Sequence, residues 1–216
     1  MRGARKIKDL LYEQVARIGK VFSSPKRLEL IELLCQGEKT VEMLANEASI
    51  SVKLTSSHLR ELRMTHLVET ERQGKNIYYR LADKSVADLW VQIHTLAEEH
   101  LIELQLTLQK ITTQSDDLVP SDRESLMNAA RKGEVVVLDV RPAEEYLNAH
   151  LPFARSIPLE ELRKRLSELP KDRTIVAYCR SPYCLLAVDA VALLKQEGYT
   201  ATHLRDGVAE WAADTK

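Results

Sequence analysis

The sequence predicts two domains: a mainly helical winged helix-turn-helix, followed by an α/β domain with a parallel sheet. Three observations support this fold class. Residues 1–85 show the pattern of short amphipathic helices that end in two strands, residues 122–216 alternate apolar strands with helices, and the segment between them is polar. The length of 216 residues leaves room for two small domains that each bury a core.

Composition restricts the class of protein. Hydrophobic residues make up 44% of the chain and charged residues 29%, which is typical of a folded globular protein. No run approaches the roughly 20 apolar residues of a membrane span, and no apolar stretch follows the basic N-terminus as in a secretory signal. Three cysteines do not make a disulfide framework. We therefore expect a cytoplasmic protein with no membrane partner and no cofactor.

The two halves differ in charge. Residues 1–85 hold 16 Lys and Arg against 11 Asp and Glu, a balance of +5, whereas residues 111–216 hold 14 against 17, a balance of −3. This asymmetry suggests that only the first half meets a polyanion, although chance also produces imbalances of this size. Residues 112–121 are polar and contain Pro120, which predicts a linker between domains at 1–111 and 122–216.

Four helices are predicted in the first half. Residues 7–22 carry apolar side chains at helical spacing, and Ser24-Pro25 starts a second helix that ends near Gly37. Thr40 caps a short third helix, Val41 to Glu47, and Ser51 caps a fourth, from about Val52 to Met64. The tight connection between the last two is typical of a helix-turn-helix.

The fourth helix has the composition of a DNA-reading helix. Lys53, Ser56, Ser57 and Arg60 fall on one polar face, where hydroxyls reach phosphates and Arg pairs with a guanine edge. We expect further contacts to DNA from Thr55, His58 and Arg63. An ordinary solvated face is the alternative interpretation.

A basic hairpin follows this helix. Leu67 to Leu81 alternates as two strands around a turn at Gly74-Lys75-Asn76. Arg72 and Lys75 lie near its tip, where they would contact backbone phosphate. A helix-turn-helix followed directly by such a hairpin is a winged helix.

Residues 7–110 resemble the ArsR/SmtB family of bacterial repressors. The resemblance is carried by Ser24 to Leu30, Val41 to Ala45, Ser57 to Arg63, Leu67-Val68, Gly74-Lys75 and Tyr78-Tyr79. It implies a homodimer whose fourth helices read two half-sites of a double-stranded operator. A last helix over 86–111 fits this picture, because its broad apolar stripe needs a partner, such as a dimer interface that includes the first helix.

The metal ligands of that family are incomplete in this sequence. Cys35 is the one thiol of its region, and a soft-metal site needs at least two thiolates. On the last helix, His100 and Glu103 match half of another family site, but Asp88 lacks its histidine partner. The family's sulfur sensors use a pair of cysteines in the second and last helices, and the last helix here has no cysteine. We therefore predict no metal site in this domain.

The second half is predicted to be an α/β unit. Val135 to Val140, Thr174 to Tyr178 and Thr200 to Leu204 are apolar strands, and Ala154 to Ile157 is a shorter one. Helices are expected from Leu159 to Leu169 and from Tyr183 to Glu197. Parallel sheets of this kind hold their sites beyond the carboxyl ends of the strands.

Cys179 lies at such a strand end and is the candidate nucleophile. A loop between strand and helix directs backbone N–H groups inward, which lowers a thiol pKa, and Arg180 adds a cation. An ionised thiolate in a ring of amides accepts a sulfur atom and holds it as a persulfide. A cysteine phosphatase is disfavoured, because the position six after Cys179 is Leu185 rather than Arg.

Nearly all of residues 123–213 resemble the rhodanese sulfurtransferases. The matches are Leu138 to Arg141, Glu145-Tyr146, His150 to Pro152, Ile157-Pro158, Asp206 to Trp211 and the loop Cys179 to Cys184. The resemblance implies that Cys179 carries transferable sulfur, held by the loop residues Arg180, Ser181, Pro182, Tyr183 and Cys184. Asp139 and Arg141 are expected to be a structural ion pair.

Two residues of the loop depart from that family. Pro182 removes one N–H from the ring of amides, which argues against thiosulfate turnover. Cys184 is a second thiol, which either forms a disulfide or polysulfide with Cys179 or lies under the helix in the core.

These observations predict a repressor that responds to reactive sulfur through persulfide or polysulfide on Cys179. The sulfur donor would be a polysulfide, a persulfide or thiosulfate. One alternative is a sulfurtransferase enzyme tethered to a DNA-binding domain, and another is a repressor that responds to metal or arsenic.

Overall fold

The computed structural model describes the backbone of residues 2–113, 118–119 and 123–213, and the side chains of 4–111 and 123–213. Most of the predicted linker, 112–121, therefore lies outside the described residues. The chain divides into two compact units, Met1–Trp90 and Val91–Lys216. This division falls inside a helix rather than in the predicted linker, and the proposed domain boundaries stay a prediction.

The first unit is a winged helix-turn-helix. Its elements are α1 (Arg2–Phe22), α2 (Pro25–Cys35), β1 (Lys39–Thr40), α3 (Val41–Glu47), α4 (Val52–Met64), β2 (Val68–Gln73) and β3 (Asn76–Leu81). The three strands pair antiparallel in the order β1-β3-β2. Leu30 and Ile31 of α2, Leu44 of α3, and Leu59 and Leu62 of α4 are fully buried, so the three helices share one core.

The last helix of the first half, predicted over 86–111, is not continuous. Two helices replace it, α5 (Lys84–His100) and α6 (Ile102–Thr113). The side-chain amide of Gln105 donates hydrogen bonds to the backbone carbonyls of Glu98 (2.7 Å) and Glu99 (3.2 Å), which satisfies carbonyls at the end of α5. No Gly or Pro marks this break, so the apolar pattern did not predict it.

The second unit contains the predicted parallel sheet. The remaining elements are β4 (Leu118–Val119), α7 (Arg123–Lys132), β5 (Val135–Asp139), α8 (Ala143–Asn148), β6 (Arg155–Ser156), α9 (Leu159–Arg165) with a 3₁₀ turn (Leu166–Glu168), β7 (Thr174–Tyr178), α10 (Leu186–Gln196), β8 (Ala201–Leu204) and α11 (Val208–Ala213). The five strands are parallel in the order β4-β8-β7-β5-β6.

Both faces of this sheet are buried, which explains its unbroken apolar strands. Val136 and Ile175 lie in an apolar cluster with the buried side of α10, whereas Val137 and Val176 lie in a second cluster with Leu126 of α7. The predicted fold class is confirmed for both units. The predicted helix from Tyr183 begins three residues later, at Leu186, because residues 179–185 form a loop.

Candidate functional site

The helix-turn-helix is fixed by side-chain caps at the predicted positions. The hydroxyl of Thr40 accepts a hydrogen bond from the Met43 N–H (3.3 Å), and that of Ser51 accepts one from the Leu54 N–H (3.2 Å). Ser49, in the connection between α3 and α4, has a positive φ of 51°. These contacts set where α4 begins and therefore which of its faces is exposed.

Most of the predicted DNA-binding side chains share this exposed surface. The exposed ones on α4 are Lys53, Ser56, Ser57, Arg60 and Arg63. His58 is half-buried. The expected DNA contact of Thr55 is wrong: its side chain is fully buried, and its hydroxyl donates to the Ser51 carbonyl (3.0 Å). A buried hydroxyl already bonded to the helix backbone is unsuited to contact DNA.

The hairpin has the predicted turn. Gln73 pairs with Asn76 across it, and Gly74 has a φ of 63°, a conformation that favours glycine. Arg72 and Lys75 are exposed at the tip. Their contact with phosphate stays a prediction.

The loop after β7 holds a disulfide. Cys179 and Cys184 are bonded to each other, with their Cα atoms 6.1 Å apart. Cys179 is only 3% exposed and packs with the apolar cluster beside α10. The expectation of a presented, ionised thiolate is therefore wrong for this state, because the sulfur is covalently paired. Of the two alternatives for Cys184, the structure has the disulfide.

Two of the loop amides and the loop cation expected around the sulfur are engaged elsewhere in this state. The Tyr183 N–H donates to the Ser181 hydroxyl (3.1 Å), and the Cys184 N–H donates to the Ser181 carbonyl (3.1 Å). Pro182 has no N–H. The Arg180 guanidinium forms two parallel hydrogen bonds to the buried carboxylate of Glu145, at 2.6 and 3.0 Å. Its charge is thus compensated by a partner that the sequence did not reveal.

The predicted ion pair of Asp139 and Arg141 is confirmed. Both side chains are fully buried, and the Arg141 Nη2 donates to the Asp139 Oδ2 at 2.6 Å. Arg141 also donates to the Ala149 carbonyl (2.8 Å). The Tyr178 hydroxyl donates to the same Asp139 carboxylate (2.5 Å), and burial next to this anion raises the pKa of Tyr178. This network joins the ends of β5 and β7, where the cysteine loop starts.

A buried charged cluster connects α5 to α11, and the sequence did not predict it. His94 is 3% exposed, its Nε2 lies 3.1 Å from the Glu210 carboxylate, and its Nδ1 lies 3.5 Å from that of Glu98. Burial alone would lower the pKa of His94, but the hydrogen bonds and charges of Glu210 and Glu98 outweigh it and raise the pKa to about 9. Glu98 also pairs with Arg205. The sequence signal that could have indicated this cluster is the helical spacing of His94 and Glu98 within an apolar stripe.

This cluster contacts the cysteine loop directly through Tyr183 and indirectly through Gly207. The Tyr183 ring meets the His94 imidazole edge-on at 5.6 Å, and Tyr183 is hydrogen-bonded to Glu98. Glu210 accepts a hydrogen bond from the Gly207 N–H (2.8 Å). A Cβ on Gly207 would lie 1.9 Å from the Arg180 carbonyl oxygen, so only glycine allows this approach to the loop.

Two structural features are absent from the described part of the chain. Its residues include no group of three or more His, Cys, Asp or Glu side chains placed to hold a metal ion. Among its helices, none is both long and apolar enough to cross a bilayer.

Comparison with known proteins agrees with both halves of this geometry. Residues 24–70 match the family described as bacterial regulatory protein, arsR family, and residues 122–214 match the rhodanese-like domain. The HTH-type transcriptional regulator Rv0324 of Mycobacterium tuberculosis is 39% identical over 211 residues, which is 98% of this chain and 92% of that protein.

Two other relatives match one half each. A sulfurtransferase of Allochromatium vinosum is 38% identical over 93 residues, 42% of this chain and 85% of that protein. A transcriptional repressor SmtB homolog of Synechocystis sp. is 36% identical over 81 residues, 38% of this chain and 61% of that protein. Because Rv0324 matches nearly the whole chain and the two family matches fall in its two parts, this chain belongs to the arsR family of bacterial regulatory proteins and carries a rhodanese-like domain after its winged helix.

Proposed function

We propose that this chain is a DNA-binding repressor whose affinity for its operator depends on whether reactive sulfur has oxidised the thiols of Cys179 and Cys184 to a disulfide. One observation carries the proposal. The loop that holds the two cysteines contacts the C-terminal part of α5 through Tyr183. The same helix begins in the first unit, where Val86 and Trp90 are buried.

The DNA side of the proposal depends on the exposed face of α4 and the tip of the hairpin. Hydroxyls at Ser56 and Ser57 lie on the same helix as the exposed cations Lys53 and Arg60, a combination suited to a major groove. A homodimer would present this surface twice, once to each half-site. The relatives described as a regulator and a repressor agree with this assignment.

The sulfur chemistry balances with the two thiols as reductant. The reduced Cys179 thiolate attacks the sulfane sulfur of a donor, the donor's S–S bond breaks, and the remainder of the donor leaves with the electron pair and takes up the proton. Cys184 then attacks the Sγ of the Cys179 persulfide and displaces hydrosulfide. Two thiols are oxidised to a disulfide, and one sulfane sulfur is reduced to sulfide.

The signal would pass through the buried charged cluster. Closing the disulfide fixes Cys184 and hence its neighbour Tyr183, which is hydrogen-bonded to Glu98 and meets the His94 ring. Both Glu98 and His94 belong to α5. A change at Tyr183 thereby alters the packing of the helix that leads to the DNA-binding unit.

The test uses the reduced full chain and a duplex selected from a random library by that protein. Adding tetrasulfide should lower the affinity of wild type for this duplex by about tenfold or more. Cys179→Ser should bind with unchanged affinity in the presence of tetrasulfide. Cys35→Ser is the matched control, since Cys35 lies in α2 and is not part of the Cys179–Cys184 disulfide, and it should respond like wild type. A Cys179→Ser protein that still releases DNA would refute the sensor and favour a tethered sulfurtransferase.

A further inference from the structure

A cavity of about 320 Å³ lies beside the Cys179–Cys184 disulfide, and both cysteines line it. Its volume is at the lower end of the range for small-molecule sites. All of the lining residues belong to the second unit. The cavity is therefore the place from which a sulfur donor would reach the two thiols.

The walls of this cavity are mainly apolar. Four elements supply them: α6, the cysteine loop, α10 and β8. The apolar lining side chains are Leu108, Ile111, Pro182, Ala187, Val188 and Leu204. Such walls stabilise a carbon chain or ring by removing its surface from water.

The ionisable groups of the lining are few. They comprise one guanidinium (Arg205), one imidazole (His203) and one carboxylate (Glu98), among the residues that the structure describes. Arg205 pairs with Glu98. The nearest loop cation, Arg180, does not line the cavity and pairs with Glu145. A buried dianion such as thiosulfate needs cations to neutralise it, and both of these guanidinium groups are already paired with carboxylates.

We propose that this cavity binds the apolar carbon substituent of an organic persulfide, R–S–S–H, and thereby makes such persulfides the preferred sulfur donors of Cys179. The inference rests on the proposed function, because it names the donor class for the same thiols. The Cys179 thiolate takes the terminal sulfur, the R–S–SH bond breaks, and R–S⁻ leaves and is protonated to R–SH. Cys184 then closes the disulfide and releases hydrosulfide.

The probes are methyl, propyl and hexyl hydropersulfide, together with thiosulfate, each mixed with the reduced full chain. Loss of the two thiols is followed by quenched intact-mass analysis, and each rate is divided by the rate of the same probe with free cysteine. This ratio removes the intrinsic reactivity of the donor. It should rise along the series by up to about fourfold per methylene until the cavity is full. Thiosulfate should be the slowest probe.

Two substitutions on one helix make a matched pair. Leu108→Gln places an amide in the cavity wall and should flatten the rise with chain length. Leu106→Gln makes the same change at an exposed position outside the cavity and should preserve it. Leu108→Met keeps an apolar wall of similar volume and should also preserve the rise with chain length. It serves as a second control, which shows whether any substitution at this position disturbs the fold.

The outcomes separate this inference from the proposed function. Equal ratios for all chain lengths, or thiosulfate as fast as the hexyl probe, would overturn the donor preference and leave the sensor intact. A Leu108→Gln protein that keeps the full rise with chain length would overturn the preference in the same way. If none of these probes converts the two thiols but tetrasulfide does, only the preference fails. If tetrasulfide does not convert them either, the proposed function fails as well.

Discussion

His94 is a buried histidine that keeps its charge because two carboxylates surround it. Its pKa is raised to about 9 in the folded protein, against an ordinary value of 6.5. The protonated form therefore stabilises the fold fully below about pH 6.5, and this contribution is lost as the pH rises through 9. Its size is on the order of 3 kcal/mol at most.

This titration gives a pH-dependent prediction. The free energy of unfolding of wild type, measured by urea denaturation, should fall between pH 6.5 and 9.5. His94→Gln removes the titrating group and should be less stable at pH 6.5 but with a flatter dependence on pH. Parallel curves for the two proteins would show that His94 does not carry the effect.

Gly207 is the second residue on which the site depends. Because a Cβ there would collide with the backbone carbonyl of Arg180, Gly207→Ala requires the cysteine loop or β8–α11 connection to move. The variant should lose roughly 1–3 kcal/mol of unfolding free energy. Gly19→Ala in α1 is the control, since a Cβ there meets nothing within 4 Å, and it should be neutral or slightly stabilising. Equal melting temperatures for Gly207→Ala and wild type would contradict the close approach.

At the scale of elements, α4 is the candidate reading helix. Arg60→Ala removes one exposed guanidinium from each protomer of the expected dimer. It should weaken binding to the selected duplex by about tenfold or more and relax the preference for one base pair in each half-site. Arg165→Ala is the matched control, because Arg165 is a partly exposed arginine of α9 paired with Glu161 and Glu168. Equal losses for both variants would indicate a nonspecific effect of charge.

The first helix supports a prediction about assembly. Five large apolar side chains of α1 are between 57% and 70% exposed: Ile7, Leu10, Leu11, Tyr12 and Val15. A stripe of this kind on one helix favours burial against a second copy. Leu11→Asp should shift the chain from dimer to monomer in sedimentation-velocity experiments, whereas Gln14→Asp, on the same helix, should not. A wild-type monomer would contradict the expected homodimer.

For the whole molecule, local patterns predicted the fold class, because each depends on near neighbours in sequence. The caps Thr40 and Ser51, the turn at Gly74 and the buried strands of the parallel sheet follow from side-chain type and period. The apolar stripe also predicted helical structure over 86–111, but as one helix, without the break at Leu101 that a side-chain contact from Gln105 stabilises.

The sequence predicted which cysteines form the site, but not whether they are bonded to each other. The spacing of Cys179 and Cys184 identified the pair and left its bonding open, and the structure has the disulfide. The partners of the loop were beyond sequence reasoning, because Glu145 and Gly207 come from distant segments that only the fold brings together. The expected DNA contact of Thr55 was wrong, because the burial of this side chain depends on how α4 packs.

The central claim is that the bonding state of Cys179 and Cys184 sets the affinity for DNA. The most direct measurement combines intact mass and binding to the selected duplex on the same samples of full-length protein, reduced, treated with tetrasulfide and then reduced again. Loss of two hydrogens at this cysteine pair should accompany about tenfold weaker binding, and reduction should restore both. Equal affinity of the dithiol and disulfide forms would contradict the account.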